Sequence, residues 1–183
     1  MPRLRHLDAA HNGFGDAGVQ AMCEGLVSGA TPSLLFLVLR GNRIAPAGAD
    51  AFASALCRGA MPKLEVLLLC FNPLGKQGVA ALAAPLRKLP ALKELYLSNC
   101  AMGDEGVASL VKDLEKDDFN ALTNLILDNN MLTDTGYATI AAALGRGAMP
   151  KLEVLRLRGN DAASAAARRA VGDAAKARDI VEY

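Results

Sequence analysis

Residues 34–42 read Leu-Leu-Phe-Leu-Val-Leu-Arg-Gly-Asn, and residues 152–160 read Leu-Glu-Val-Leu-Arg-Leu-Arg-Gly-Asn. Both stretches carry leucine at the first, fourth and sixth places and asparagine at the ninth. The pattern occurs six times, opening at Leu4, Leu34, Leu64, Leu92, Leu122 and Leu152, with Ala9 at the sixth place of the first copy. Successive copies begin 30, 30, 28, 30 and 30 residues apart. A fixed period of this length indicates an architecture of stacked structural repeats.

Each copy predicts a short strand followed by a turn. Successive side chains in a strand point to opposite faces, so the leucines at the fourth and sixth places share one face. The asparagine at the ninth place can hydrogen-bond neighbouring backbone and satisfy groups that the turn leaves unpaired. These asparagines are Asn12, Asn42, Asn72, Asn130 and Asn160, and Cys100 holds the place in the fourth copy.

A helix is predicted after each turn. Two residues beyond the turn stands an apolar anchor: Phe14, Ile44, Leu74, Met102 or Leu132. A glycine follows, and large apolar residues recur four and eight places after it, as Phe52 and Leu56 do after Gly48. That spacing forms one stripe of a helix, and the glycine lets the helix start close to its neighbour.

Several residues predict where these helices begin and end. Pro46 fits a first helical turn, and the N-cap candidates are Asp16, Asp104 and Asp134. Pro85 falls inside the third stripe, where we expect an early end or a kink. The fourth stripe includes Leu110 and Leu114.

The Leu-x-x-Leu-x-Leu-x-x-Asn motif resembles the leucine-rich repeat. Repeats of this length with a full helix are similar to those of the ribonuclease-inhibitor-like subfamily, which includes the Ran GTPase-activating proteins and the sensor arrays of nucleotide-binding immune receptors. The resemblance implies an α/β fold, a solenoid (horseshoe) with a parallel β-sheet on the concave side and α-helices on the convex side. It indicates fold and leaves function open.

We expect residues 1–183 to form a single domain of six repeats. In the last copy Ala162 and Ala166 replace the anchor and the glycine, which predicts a C-terminal capping helix. Leu4 and Leu7 open a full repeat with nothing ahead of them. This favours a fragment lacking an N-terminal cap, the alternative being a partner that covers the front edge.

Composition limits the classes of partner. The net charge of +1 argues against nucleic acid and acidic membranes, and no apolar run is long enough to span a bilayer. The four cysteines show neither metal-site spacing nor a dense disulfide framework. We therefore expect a cytoplasmic protein with no cofactor and no metal.

The strand positions between the leucines predict the functional surface. The third and fifth places face the concave side, and with the adjoining turns they supply apolar residues bordered by charge. The candidate partner-binding residues are Phe36, Val38, Arg40, Val66, Leu68, Phe71, Tyr96, Ile126, Arg156 and Arg158. The alternative is that neighbouring side chains or a missing N-terminal segment cover the stripe, or that it reflects strand propensity alone.

The sequence favours a non-enzymatic scaffold that binds a protein partner on its concave face. One alternative is regulation of a small GTPase through an exposed arginine, Arg40 or Arg43. Another is a homo-oligomer assembled through the uncapped front edge. A metal site at His6, Asp8 and His11 and a thiol enzyme at Cys70 are weaker hypotheses, because neither has a full set of ligands or a nearby base.

Overall fold

The computed structural model describes residues 3–27, 32–115 and 117–183. Within these ranges, strands and helices alternate along the chain. The strands are β1 (His6–Asp8), β2 (Phe36–Val38), β3 (Val66–Leu68), β4 (Glu94–Tyr96), β5 (Asn124–Ile126), β6 (Val154–Arg156) and β7 (Val181–Glu182). The helices are α1 (Gly15–Gly25), α2 (Pro46–Cys57), α3 (Gly75–Arg87), α4 (Gly103–Val111), α5 (Asp134–Gly145) and α6 (Ala165–Lys176).

The strands form one parallel sheet in chain order, from β1 to β7. Pairing joins equivalent places of the motif, so that Phe36 pairs with His6 on one side and with Val66 on the other. Residues at the same place of the motif in successive repeats therefore form a column across the sheet. The predicted α/β leucine-rich repeat solenoid is confirmed, and the sheet face opposite the leucine core is called the concave face below.

The core lies between the sheet and the helices. The fourth-place leucines Leu37, Leu67, Leu95, Leu125 and Leu155 are all at most 1% exposed. Phe52 and Ile140 from the helix stripes are equally buried. Burial of a side chain of this size contributes roughly 1.5–3 kcal/mol, so the leucine columns are the main stabilising feature of the fold.

The asparagines form a ladder that joins neighbouring turns. Oδ1 of Asn72 accepts hydrogen bonds from the backbone N–H groups of Asn42 at 2.8 Å and Ile44 at 3.0 Å. Its Nδ2 donates to the carbonyls of Leu39 at 2.9 Å and Leu69 at 2.8 Å. Asn42, Asn130 and Asn160 likewise bond backbone groups of two repeats, whereas the exposed Asn12 donates to the Ala10 carbonyl of its own repeat. The predicted role of asparagine at this place is confirmed.

The predicted N-cap role of three aspartates is wrong. Helix α5 is capped by Thr133, whose Oγ1 accepts from the backbone N–H of Thr135, and helix α6 is capped by Ser164. The aspartates instead accept from the backbone of the following repeat: Asp16 from Ala45 at 2.7 Å, Asp104 from Thr133 at 2.8 Å and Asp134 from Ser164 at 2.6 Å. Stacking places the next turn within hydrogen-bond distance of each carboxylate.

The glycines permit this close approach of helices. A Cβ placed on Gly48 would lie 2.5 Å from Oδ1 of Asp16 and 2.9 Å from Ile44 Cγ2. A Cβ on Gly78 would lie 3.0 Å from that of Ala49. The predicted role of glycine is therefore confirmed at both positions.

Helices α3 and α4 depart from the predicted lengths. Helix α3 continues through Pro85 to Arg87, so of the two alternatives at Pro85 the early end is wrong, and the kink stays a prediction. Helix α4 ends at Val111 and excludes Leu114, which belonged to the predicted stripe. The Arg87 side chain donates from Nε to the Leu110 carbonyl at 3.1 Å and from Nη2 to that of Lys112 at 3.1 Å. An arginine from the preceding repeat thus satisfies carbonyls at the end of the short helix.

The two ends of the sheet differ from the interior. Phe14, the first anchor, is 37% exposed, whereas Leu74 and Met102 at the equivalent place are fully buried. At the other end Val181 pairs with Val154 in a seventh strand that the sequence did not predict. Arg178 fixes the segment leading into it by donating to the carbonyls of Ala148 at 2.6 Å and Met149 at 2.8 Å.

Candidate binding surface on the concave face

The predicted apolar stripe is present but unevenly exposed. Phe36 and Phe71 are 37% and 47% exposed, and Val38, Leu68 and Tyr96 are half-buried. Val66 and Ile126 were expected to be exposed, but they are 9% and 4% exposed. In register, Val66 lies between Phe36 and Glu94, and Ile126 lies between Tyr96 and Arg156. Strands are only about 4.8 Å apart, so the longer neighbours cover these two side chains.

Two aromatic contacts organise the exposed part of the stripe. The rings of His6 and Phe36 stack with centroids 5.5 Å apart. The Arg40 guanidinium lies over the Phe71 ring, 4.5 Å from its centroid. An arginine over an aromatic face is favourable by about 0.5–1 kcal/mol at an exposed site. We refer to Phe36, Arg40 and Phe71 as the aromatic patch.

Phe71 occupies an unusual backbone conformation. Its φ is 58°, in the left-handed region that bulky side chains rarely adopt. At the equivalent place the other repeats carry His11, Gly41, Asn99, Asn129 and Gly159, also with positive φ. Glycine and asparagine tolerate this region, whereas a phenylalanine costs roughly 1–2 kcal/mol there. The fold therefore holds an exposed aromatic ring where a small or polar residue would be less strained.

A recess of about 260 Å³ lies beside the aromatic patch. Five predicted residues line it: Arg40, Phe71, Tyr96, Ile126 and Arg156. Asp128, expected in the charged border of the stripe, lines the recess too, as do Cys70, Ser98, Asn99 and Asn129, which the sequence did not assign to the binding surface. These residues stand at the seventh and eighth places of the motif, directly after the strands. The polar residues at those places in neighbouring copies could have predicted that the turns contribute to the surface. Arg158 lies outside the lining, with its guanidinium 5.2 Å from the centroid of the Tyr183 ring.

Asp128 and Arg156 form the charged wall of the recess. Nη2 of Arg156 donates to Oδ2 of Asp128 at 2.6 Å, and the backbone N–H of Arg158 donates to Oδ1 at 3.0 Å. Asp128 is 5% exposed. A buried carboxylate needs such partners to offset its lost hydration. The ion pair therefore fixes the position of the Arg156 side chain.

The weakly acidic groups of the recess are neutral near pH 7. Burial, with a smaller contribution from the hydrogen bond to Glu94, raises the pKa of Tyr96 to about 12. The Tyr96 hydroxyl donates to Oε2 of Glu94 at 2.7 Å. Burial also raises the pKa of the Cys70 thiol, although Ser98 and Arg40 oppose the shift. A protonated thiol is a poor nucleophile, so this geometry does not support the thiol-enzyme hypothesis at Cys70.

The remaining hypotheses concern a metal site at His6, Asp8 and His11 and a regulatory arginine. Across residues 3–27, 32–115 and 117–183, no three His, Cys, Asp or Glu side chains group in a way that could hold a metal ion. His6 is engaged in the stack on Phe36, and Arg43 lies exposed in the second turn. In the same part of the chain, no helix is both long enough and apolar enough to cross a bilayer.

Comparison with known proteins agrees with the repeat geometry. Residues 2–23, 31–53 and 88–111 match the family model described as Leucine Rich repeat. The chain has the leucine-rich repeat fold. No curated protein matches it. Leucine-rich repeats are generally protein-interaction modules, which directs attention to the concave face of this one.

Proposed function

We propose that this leucine-rich repeat is a non-enzymatic scaffold that binds a protein partner on its concave face. The observation that carries the proposal is Phe71, an exposed aromatic side chain on a strained backbone beside Arg40. Strain of this kind persists at functional sites because the surrounding structure enforces it. Aromatic and arginine side chains are also the commonest hot spots of protein interfaces.

The surroundings of the aromatic patch support the same role. Phe36 and Phe71 belong to neighbouring repeats, and the half-buried Val38, Leu68 and Tyr96 lie on the same face. An apolar centre with charged residues around it is typical of protein interfaces. Arg40, which the GTPase-regulator hypothesis singled out, is engaged over Phe71, and this contact favours a binding role for it.

Affinity capture from source-cell extract tests the proposal. The chain is compared with a Phe36→Ala, Phe71→Ala variant, and the partner that only the parent chain retains is purified for affinity measurement. We expect the double variant to bind at least about tenfold more weakly, because each lost anchor costs more than 1 kcal/mol. Circular dichroism establishes that the variant is folded.

Met131→Ala provides the matched control. Met131 is 62% exposed and lies between β5 and α5, outside the concave strands. Met131→Ala should leave capture of the partner unchanged. Equal capture by the parent chain and the double variant would contradict binding through the aromatic patch.

The front edge supports a second candidate function, self-association through β1. Phe14 is 37% exposed and Leu4 and Leu7 are only half-buried, in contrast to the equivalent residues of later repeats. An open strand edge with apolar side chains can pair with another copy. Sedimentation equilibrium should then show a concentration-dependent mass that Phe14→Asp abolishes and Val181→Asp, at the far edge, does not. A constant monomer mass would exclude this candidate.

A further inference from the structure

The recess beside the aromatic patch has an unbalanced charge. Arg40 and Arg156 contribute two guanidinium cations, and Asp128 contributes one carboxylate. Tyr96 and Cys70 are neutral near pH 7, and Glu94 lies outside the lining. Among the lining residues, one positive charge therefore remains without a counterpart. A partner that supplied one anion would complete the charge balance.

The same two arginines retain hydrogen-bonding capacity. Arg40 is exposed, and it has no carboxylate within ion-pair distance among the residues that the structure describes. In Arg156 the ion pair with Asp128 uses Nη2, while Nε is buried without an acceptor in those residues. Asn99 and Asn129 add side-chain amides to the lining. Guanidinium and amide groups together are suited to a carboxylate.

The size and the charge of the recess indicate which anion fits. A water occupies roughly 30 Å³ of liquid, so a volume of about 260 Å³ accommodates one side chain rather than a folded element. The Asp128 carboxylate in the wall would repel a dianion such as phosphate more strongly than a monoanion. Phe71 borders the opening and offers apolar contact to the residue next to the anion.

We infer that the recess receives a single aspartate or glutamate side chain of the partner, from an acidic segment whose neighbouring apolar residue packs on Phe71. The inference rests on the proposed function, because it names the chemistry that the concave face recognises. Arg40 and Arg156 hold the carboxylate, and Asn99 and Asn129 donate to it. Phe71 and Phe36 supply the apolar part of the affinity.

Selection from a random peptide library displayed with fused C-termini tests the inference directly, because the library takes the place of the partner. Fusion removes the free terminal carboxylate, so an anion in a selected peptide comes from a side chain. We expect the enriched peptides to share an aspartate or glutamate next to an apolar residue. Each is then synthesised with an amidated C-terminus, together with a version that carries the corresponding amide, Glu→Gln or Asp→Asn.

A double-mutant cycle identifies the contact. Arg40→Gln should weaken the acidic peptide about tenfold and its amide version hardly at all, because a hydrogen-bonded charge pair is lost only in the first case. Arg43→Gln is the matched control. It removes the same charge from an exposed residue outside the recess, so it should leave both affinities within about twofold. Arg40 holds no buried group in ion-pair contact, so its replacement is compatible with folding.

Three results would overturn the inference. They are enriched peptides without a shared carboxylate, equal weakening of both peptide versions by Arg40→Gln, and a selection that yields no peptide. In the first two cases, a loss of binding in Phe71→Ala would leave the proposed function standing. Peptides that bind independently of both Phe36 and Phe71 would contradict the proposed function as well.

Discussion

The backbone N–H of Cys100 donates to Oδ1 of Asn130 at 2.9 Å, while its thiol occupies the site that asparagine fills in neighbouring turns. Sγ lies 3.4 Å from the Leu69 carbonyl, and the backbone N–H of Asn72 faces the sulfur. Burial raises the pKa of this thiol to about 12, so it is neutral. Sulfur is a weak donor and a weak acceptor, so the asparagine ladder is weakest at this turn.

We expect Cys100→Asn to stabilise the protein by about 1 kcal/mol, because an amide would satisfy both the Asn72 N–H and the Leu69 carbonyl. The free energy of unfolding in urea measures the change. Cys57→Asn is the control, since Cys57 is exposed and outside the ladder and should have little effect. A lower free energy of unfolding in Cys100→Asn would show that the amide does not fit this turn.

Gly136 lies at a close contact between α5 and the preceding repeat. A Cβ there would collide with Oδ1 of Asp104, the atom that accepts from the Thr133 N–H. Gly136→Ala should therefore lower the free energy of unfolding by about 1–3 kcal/mol. At Gly145, in the same helix, a Cβ would meet nothing within 4 Å, so Gly145→Ala should be neutral or slightly stabilising. Equal losses in the two variants would contradict the packing argument.

Replacement of Phe71 by asparagine should have opposite effects on stability and on binding. Phe71→Asn relieves roughly 1–2 kcal/mol of left-handed strain and loses about 0.5–1 kcal/mol of contact with Arg40. Thermal unfolding should thus show a folded variant of equal or higher stability that no longer retains its partner. Met131 also has a positive φ, 59°, and is 62% exposed, but it lies outside the concave strands. The same replacement there is therefore a control. Met131→Asn should gain stability and keep binding, and a loss of binding there would indicate an indirect effect.

Asp118 predicts a pH dependence of stability. Burial opposes its charge, but the hydrogen bond from Lys88, the Glu115 N–H and the Arg87 charge together lower the pKa of Asp118 below its ordinary value of 3.8. A carboxylate with a lowered pKa stabilises the folded state above its unfolded pKa, and the stabilisation is lost as pH falls through the lower folded value. We expect unfolding free energy to decline below about pH 4.

Denaturant titrations at a series of pH values check this dependence. Asp118→Asn should reduce the slope of unfolding free energy against pH on the acid side. Part of that slope should remain in the variant, because the hydrogen bond from the Ser164 N–H also lowers the pKa of Asp134. Asp117→Asn, at an exposed neighbour, should retain the full slope. An unchanged slope in Asp118→Asn would show that other groups control acid unfolding.

The sequence predicts most of this fold because its repeat period and its pairing register express the same geometry. Leu37, Leu67 and Leu95 share the fourth place of the motif, which predicts the one column that they form in the core. The seventh strand escaped prediction because Val181–Glu182 has only two residues and no leucine motif around it. The aspartates were assigned to their own helices because a one-dimensional pattern does not show that the next turn stacks within reach.

The repeat register also explains why the candidate site could be predicted in part. Motif places fix which side chains face the concave side, and so they identified Phe36, Phe71 and Arg156. They do not show that Val66 and Ile126 lie beneath longer neighbours, since coverage depends on side-chain lengths in adjacent columns. They also miss Asn99 and Asn129, which occupy the same turn place as Phe71 but are polar and so do not belong to an apolar stripe.

The in-register columns have a consequence for how such a surface can change over generations. Equivalent places pair across the whole sheet, and helices pack on their immediate neighbours in the chain. Duplication of one unit would therefore insert one new residue into every column without altering the leucine layer on either side. A copy of the Val66–Leu68 unit inserted beside the original would widen the gap between Phe36 and Tyr96 by about 4.8 Å. Gene duplication can thus alter the spacing of the recognised features while the core remains the same.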